Sequence, residues 1–193
     1  LTSTDASIYE MEPKQVIYPK NCNDLIKVIC KLLLDKPPFS MRAGGTSIGG
    51  QAIGSGVLVD ISKHLTSIID FREDEKEIIV EPGVIQDDLN LYLRPHNLKF
   101  APDTSTSNRA MIGGMIGNNS CGAYSIYYGT TRNHVKSLEV ILSDGSLVEF
   151  KELTKKELDD KLSLQTLEGD IYRFVIDLLG NNRKEILNAF PDE

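Results

Sequence analysis

The side chains that usually carry chemistry are sparse in this sequence, and the backbone takes their place. Between Met41 and Gly56, MRAGGTSIGGQAIGSG, six of the chain's 15 glycines fall beside a single charged side chain, Arg42. Such a stretch makes backbone N–H groups the working surface of an anion-binding loop. Gly44 and Gly45 permit positive φ and remove Cβ atoms that would hold a ligand away, so successive amides can converge on phosphate oxygens. Thr46 and Ser47 add hydroxyl donors at the tip. The competing reading is a tight linker between two strands.

A second stretch, MIGGMIGNNSCGAYSIYYG from Met111 to Gly129, holds five more glycines, so six plus five of the 15 fall in two windows. Gly113-Gly114 is expected to open a short helix whose first N–H groups point outward, with Asn118, Asn119 and Ser120 as neutral hydrogen-bonding groups beyond it. Close packing of that helix on a sheet is the alternative use of such small residues.

Other chemistries fail on spacing. Gly45 and Gly50 match the GxxxxG of a P-loop, but Gln51 and Ala52 stand where Lys and Ser/Thr are required. No GxGxxG occurs, and Gly54-Ser55-Gly56 runs into a strand where that fingerprint needs a helix. There is no GxSxG for a serine hydrolase. Cys22, Cys30 and Cys121 lack CxxC spacing and are expected as buried thiols, while His64, His96 and His134 form no metal-ligand pattern and are given structural roles.

The elements that must place these loops follow from periodicity. Gln15–Tyr18 reads as a strand, and Asn21–Leu34 as a helix with Leu25, Val28, Ile29, Leu32 and Leu33 on one face, Asn23 as its cap and Pro37-Pro38 as its stop. Phe39–Arg42 and Val57–Ile61 read as strands on either side of the first glycine loop, which places that loop at a strand end in an α/β layer. Leu65–Phe71 and Glu77–Val80 form a hairpin around the charged Arg72–Lys76 turn, and Ile85–Arg94 a helix. From Val135 the chain alternates through a second hairpin at Ser143–Ser146. Helices follow, with Thr154 and Glu157 as a capping box and Gly180 expected to end Ile171–Leu179.

With 193 residues and 40% hydrophobic content the chain can bury a substantial core. A net charge of −7 opposes general nucleic-acid binding. No apolar run approaches the roughly 20 residues of a membrane span, and no signal peptide is evident, so the expected location is cytoplasmic. A first residue of Leu1 in place of Met suggests an excised fragment.

Six ordered motifs together carry a resemblance. Arg42-Ala-Gly-Gly-Thr-Ser-Ile-Gly-Gly-Gln51, Val59-Asp-Ile-Ser62, Val80-Glu-Pro-Gly83, Pro102-Asp103, Ile112-Gly-Gly-Met-Ile-Gly-Asn-Asn-Ser-Cys-Gly122 and Tyr128-Gly-Thr-Thr131 resemble the FAD-binding (PCMH-type) domain of the vanillyl-alcohol oxidase superfamily. The likeness is to the FAD-linked oxidase branch that includes D-lactate dehydrogenases and the flavin-binding chain of glycolate oxidase. Thr4-Asp-Ala-Ser-Ile-Tyr9 and the Asn-Asn-Ser-Cys-Gly form of the second loop look most like large members carrying a C-terminal iron–sulfur region. About residues 4–150 are covered.

The resemblance implies an α+β fold of two lobes, one with a small parallel sheet and helices, the other with a larger antiparallel sheet and helices, and FAD extended between them. The implied lobes are 1–62, with the pyrophosphate loop, and 63–193, truncated at its C-terminal end. By the same carry-over, amides from Gly44 to Ile48, through Gly45, Thr46 and Ser47, hold the pyrophosphate, with the Ser47 hydroxyl assisting. Pro102, Asp103, Ile112, Gly113, Gly114, Asn118, Ser120 and Gly122 line the flavin and ribityl side. Thr46 stands where covalent-flavin members have a histidine, so FAD is expected to bind non-covalently.

The implied reaction is hydride removal from a 2-hydroxy acid to flavin, with a base taking the hydroxyl proton. No residue here can be named as that base, because the family's substrate-binding histidines and arginines come from a later cap domain. The chain therefore reads as the N-terminal piece of a longer enzyme that is inactive alone. An iron–sulfur cluster is expected only beyond it, and no metal site within it. Two alternatives stay open: a scaffold fragment that cannot retain FAD by itself, and a MurB-like FAD reductase.

Overall fold

The computed structural model describes residues 2–190; Leu1 and 191–193, and with them the reading of the chain's two ends, lie outside the described residues. The chain divides into two compact units, one running up to Val135 and the other beginning at Lys136.

The first unit opens on a strand-helix-strand-loop-strand run: β1 (Gln15–Ile17), α1 (Cys22–Asp35), β2 (Phe39–Arg42) and β3 (Val57–Asp60). These strands form a parallel sheet in the order β1-β3-β2, with Gln15 and Phe39 both opposite Val57. β3 is central, and its VLVD sequence suits that place. Leu58 and Val59 are fully buried because a parallel strand covered on both faces has no water side.

α1 buries Ile29 and Leu32 from the predicted apolar stripe. Its cap is Asn21, not Asn23: the Asn21 side chain accepts the Asp24 N–H at 2.9 Å. Asn21 holds the extended conformation that a cap requires, whereas Asn23 is already inside the first turn. Lys36 ends the helix in the left-handed region at φ 53°, and Pro37 cannot extend it.

β4 (Ile68–Arg72) and β5 (Glu77–Val80) make the first hairpin, with an irregularity between Ile68 and Asp70 that leaves Ile69 exposed. Leu65 lies outside β4; it is buried, and its carbonyl accepts the Gly83 N–H at 2.7 Å. The hairpin packs on α2 (Gln86–Leu93) and α3 (Ile112–Gly117) through a core of Val84, Leu89, Leu93, Ala110, Ile112 and Met115. Removing the Leu89 side chain from that core would cost about 3 kcal/mol. α4 (Ser125–Tyr128) and a 3-10 turn at Thr131–His134 complete the unit.

The second unit holds the antiparallel hairpin of β6 (Ser137–Ile141) and β7 (Leu147–Lys151), closed at the predicted turn with Gly145 at φ 85°. α5 (Lys155–Ser163) begins with the Thr154–Glu157 capping box, both of whose arms are formed. α6 (Leu167–Asn181) runs through Gly180 to Asn182, so the expected glycine stop is not used. A glycine ends a helix only where the chain adopts positive φ, and Gly180 does not. α7 (Arg183–Ala189) follows.

A small parallel sheet, antiparallel hairpins and flanking helices make this the α+β fold that the motifs imply, although the antiparallel part is two separate two-stranded hairpins and not the larger sheet expected. Among the described residues no helix is long and apolar enough to cross a membrane. All three cysteines are exposed, against the expectation of buried thiols. Cys30 falls outside the Ile29 and Leu32 face that α1 buries, Cys22 is the first residue of α1, and Cys121 lies in the turn after α3.

Candidate cofactor site

The first glycine stretch is the whole connection between β2 and β3, and those strands are parallel neighbours. A tight turn can join only antiparallel strands; parallel ones need a connection that travels back along the sheet. The stretch is therefore a long crossover between parallel strands and not a tight hairpin turn. The loop leaves the carboxyl end of β2, the side of a parallel sheet where ligands bind.

Arg42 holds the loop from beneath. Its Nη1 donates to the Ala52 carbonyl at 2.9 Å, and its Nε stands 3.9 Å from the buried Asp60 carboxylate. Gly45 lies at φ 62°, and a Cβ there would sit 2.4 Å from the Arg42 guanidinium. A Cβ on Gly44 would sit 2.2 Å from the Arg109 carbonyl. Both glycines thus make room for protein atoms, which corrects the expectation that their missing Cβ atoms let a ligand approach. What remains for a ligand is the row of amides. Among the described residues the N–H groups of Gly44, Gly45, Thr46, Ser47 and Ile48 donate to no protein acceptor. The Ser47 hydroxyl donates to Gln51 Oε1 and leaves an oxygen that accepts the Gly49 N–H at 3.4 Å.

The second stretch distributes its donors in the opposite way. The Ile112 N–H donates to the Val84 carbonyl at 2.9 Å and the Gly113 N–H to the Pro82 carbonyl at 2.8 Å. These amides do not point outward as expected, because the helix start is pinned to the segment that follows β5. The Ser120 N–H donates to the Met115 carbonyl, and the Gly122 N–H to Ser125 Oγ at 2.8 Å.

The two stretches meet within the first unit. Gly44 abuts Arg109, and a Cβ on Gly114 would stand 3.5 Å from the Ala43 Cβ. Gly114 is itself exposed, so the surface beside Ala43 is open at that point. Ile112 gives its side chain to the core, while Pro102 is fully buried and presents its carbonyl to Gln86 Nε2. The Asp103 carboxylate accepts the Tyr124 N–H at 3.1 Å. Gly122 lies against Asp103 so closely that a Cβ would fall 1.5 Å from its carbonyl oxygen. Asn118 is exposed at the end of α3, and the Ser120 carbonyl accepts from both the N–H and the hydroxyl of the buried Thr131.

Sequence reasoning did not assign Gln86. It is 2% exposed, donates to the Pro102 carbonyl and accepts the Thr104 hydroxyl at 3.0 Å, so it props the segment that enters the site. Its partners lie too far along the chain for local spacing to show them. The histidines His96 and His134 are structural, with His96 Nδ1 3.0 Å from Glu73 Oε2 and His134 Nε2 2.8 Å from the Tyr128 carbonyl.

This arrangement fits FAD: consecutive amides can meet a pyrophosphate, and an exposed small-residue surface lies beside them. Comparison with known proteins agrees. Residues 13–151 match the family described as FAD binding domain. Relatives include the D-2-hydroxyglutarate dehydrogenases of Escherichia coli, 37% identical, and Pantoea ananatis, 35% identical, each over 98% of this chain and 19% of theirs. The glycolate oxidase protein GlcD of Bacillus subtilis is 33% identical over 72% of this chain and 30% of its own. This chain therefore spans about a fifth of the length of the dehydrogenases it matches. An alkyldihydroxyacetonephosphate synthase structure shares the fold, with a TM-score of 0.65 at 15% identity over 74% of this chain and 26% of its own. With the family match running from ahead of β1 to the end of β7, across both glycine stretches, the chain belongs to the FAD binding domain family, and FAD is its cofactor.

Proposed function

We propose that this chain is the FAD-binding portion of a flavin-dependent oxidoreductase that oxidises a 2-hydroxy acid. The observation that carries the reading is the row of amides from Gly44 to Ile48 without protein acceptors among the described residues, set beside the exposed Gly114. In this reading those amides and Ser47 hold the pyrophosphate without a covalent link, Thr46 being unable to form the histidyl bond. Asp103, Gly114, Asn118 and Ser120, with the braced backbone of Pro102, Ile112, Gly113 and Gly122, border the ribityl and flavin side. Residues 1–62 then supply the pyrophosphate half and 63–193 the other.

Bound FAD supplies the two-electron acceptance that alcohol oxidation requires. This chain's contribution is to bind, orient and neutralise the cofactor with fixed dipoles. The substrate class rests on the names of the relatives, which act on 2-hydroxyglutarate or glycolate.

The test is flavin absorbance of the purified full-length protein, with FAD titration of Gly114→Leu. Its nearest non-local protein atom would be Ala43 Cβ at 3.5 Å, so the variant folds, yet its side chain occupies the open surface. It is expected to lose FAD, and undiminished binding would overturn the assignment. A second reading, that the isolated 193-residue chain cannot retain FAD, is favoured by apolar residues left exposed in the second unit. Phe174, Leu179 and Leu187 are 66%, 48% and 57% exposed. Titration of that chain beside the full-length protein separates the two.

A further inference from the structure

The N-terminal motif Thr4-Asp-Ala-Ser-Ile-Tyr9 lies outside the two glycine stretches, and the structure gives it work. Thr4 and Glu10 form an antiparallel bridge, and the Met11 N–H donates to the Ser3 carbonyl at 2.8 Å, so this segment closes into a small strap of its own. The strap lies on the far half of the anion loop. Asp5 Oδ2 accepts the Ala52 N–H at 3.4 Å while Asp5 Oδ1 accepts the Ser7 N–H at 2.9 Å. Ala52 is therefore held at both polar groups, its N–H by Asp5 and its carbonyl by Arg42. Two residues earlier, Gly50 sits at φ 80° with the Tyr9 ring 3.1 Å from where a Cβ would stand.

Burial raises the Asp5 carboxyl's affinity for a proton, but hydrogen bonds from Ser7 and Ala52 and the charge of Arg42 outweigh it. The net effect holds the carboxyl below the ordinary aspartate range, as expected of a group that works as an anion.

We propose that this strap is a latch, with Asp5 and Tyr9 as positioning residues that hold the glycine loop in the shape that receives the cofactor's pyrophosphate. The inference rests on the FAD reading above. A connection this rich in glycine has many conformations to lose when a ligand orders it. Fixing Ala52 and Gly50 beforehand removes part of that loss from the binding step.

The experiment compares FAD dissociation constants of the full-length protein for wild type, Asp5→Ala, Asp5→Asn, Tyr9→Ala and Gly114→Leu. Amide hydrogen exchange across residues 48–54 is measured without FAD. Asp5→Ala and Tyr9→Ala are expected to weaken FAD about tenfold, and Asp5→Ala to speed exchange at Ala52. Asp5→Asn keeps only one of the two acceptor oxygens that Ser7 and Ala52 use, and should weaken FAD by about fourfold, between wild type and Asp5→Ala, a graded response that loss of general stability would not give. If Gly114→Leu loses FAD while Asp5→Ala and Tyr9→Ala stay within about twofold of wild type, the latch is refuted and the FAD reading stands. Unchanged exchange at Ala52 in Asp5→Ala refutes it equally. Retained FAD in Gly114→Leu removes the reading on which the latch depends. Should Asp5→Ala fail to fold, Asp5→Asn and Tyr9→Ala decide by the same criteria.

Discussion

The stretches 41–56 and 111–129 hold similar numbers of glycines, six and five, yet their hydrogen bonds are accounted for in opposite ways. In the first, amides 44–48 find no protein acceptor among the described residues. In the second, Ile112, Gly113, Ser120, Gly122 and Tyr124 all donate to protein oxygens. A backbone donor needs a partner, so the amides of the first stretch are left for water or a ligand, while those of the second are spent on bracing the protein. Composition is thus a poor guide to which glycine stretch binds. The destination of each N–H is the better one.

The comparison breaks most visibly at Gly122. Its Cβ position lies 1.5 Å from the Asp103 carbonyl oxygen, and backbone cannot step aside as a side chain could. Gly122→Ala should destabilise the protein by about 3 kcal/mol, read as a fall in melting temperature of about 10 °C. A melting temperature equal to wild type would show the second stretch to be less rigid than its contacts state.

Thr131→Val tests the same brace more gently. Thr131 is fully buried and its hydroxyl donates to the Ser120 carbonyl at 2.7 Å. The isosteric change should cost about 1–2 kcal/mol in denaturant unfolding.

In the first stretch the expected effect moves from stability to affinity. Ser47→Ala should leave the melting temperature unchanged and weaken FAD about threefold, because the hydroxyl's bonds to Gln51 and Gly49 no longer hold the loop's tip. A stability loss without an affinity change would reverse the roles assigned to the two stretches.

Acidification gives the smallest and most selective test. Asp5 has a lowered folded-state pKa, so its hold on the loop is complete above the ordinary aspartate range and is lost as pH falls through the lowered value. FAD retention should be flat through neutral pH and decline only in acid, with the decline absent in Asp5→Asn.

Much of the fold was legible along the chain. The apolar stripe of α1, the β-forming VLVDI run, both hairpins and the capping box at Thr154 are local patterns, and each forms where its pattern lies. The misses arise where several local signals compete or where packing decides which residues are covered. Asn21 displaced Asn23 as cap by one turn's geometry, and Gly180 stayed helical because nothing required positive φ there. Cys30 is exposed because α1 buries a different face, Cys22 because it opens that helix, and Cys121 because it lies in the turn after α3.

The sequence by itself determined the presence of two glycine-rich stretches, the β2-loop-β3 order that places the first at a strand end, and the motif series shared with the FAD binding domain family. These are properties of composition and short-range order. Only the tertiary structure decided that Gly44 and Gly45 make room for Arg109 and Arg42, that the Gly113 amide is spent on Pro82, and that Asp5 reaches Ala52. Those facts depend on which distant carbonyl or carboxylate arrives beside each amide. Chain crossing sets that, and no local spacing encodes it.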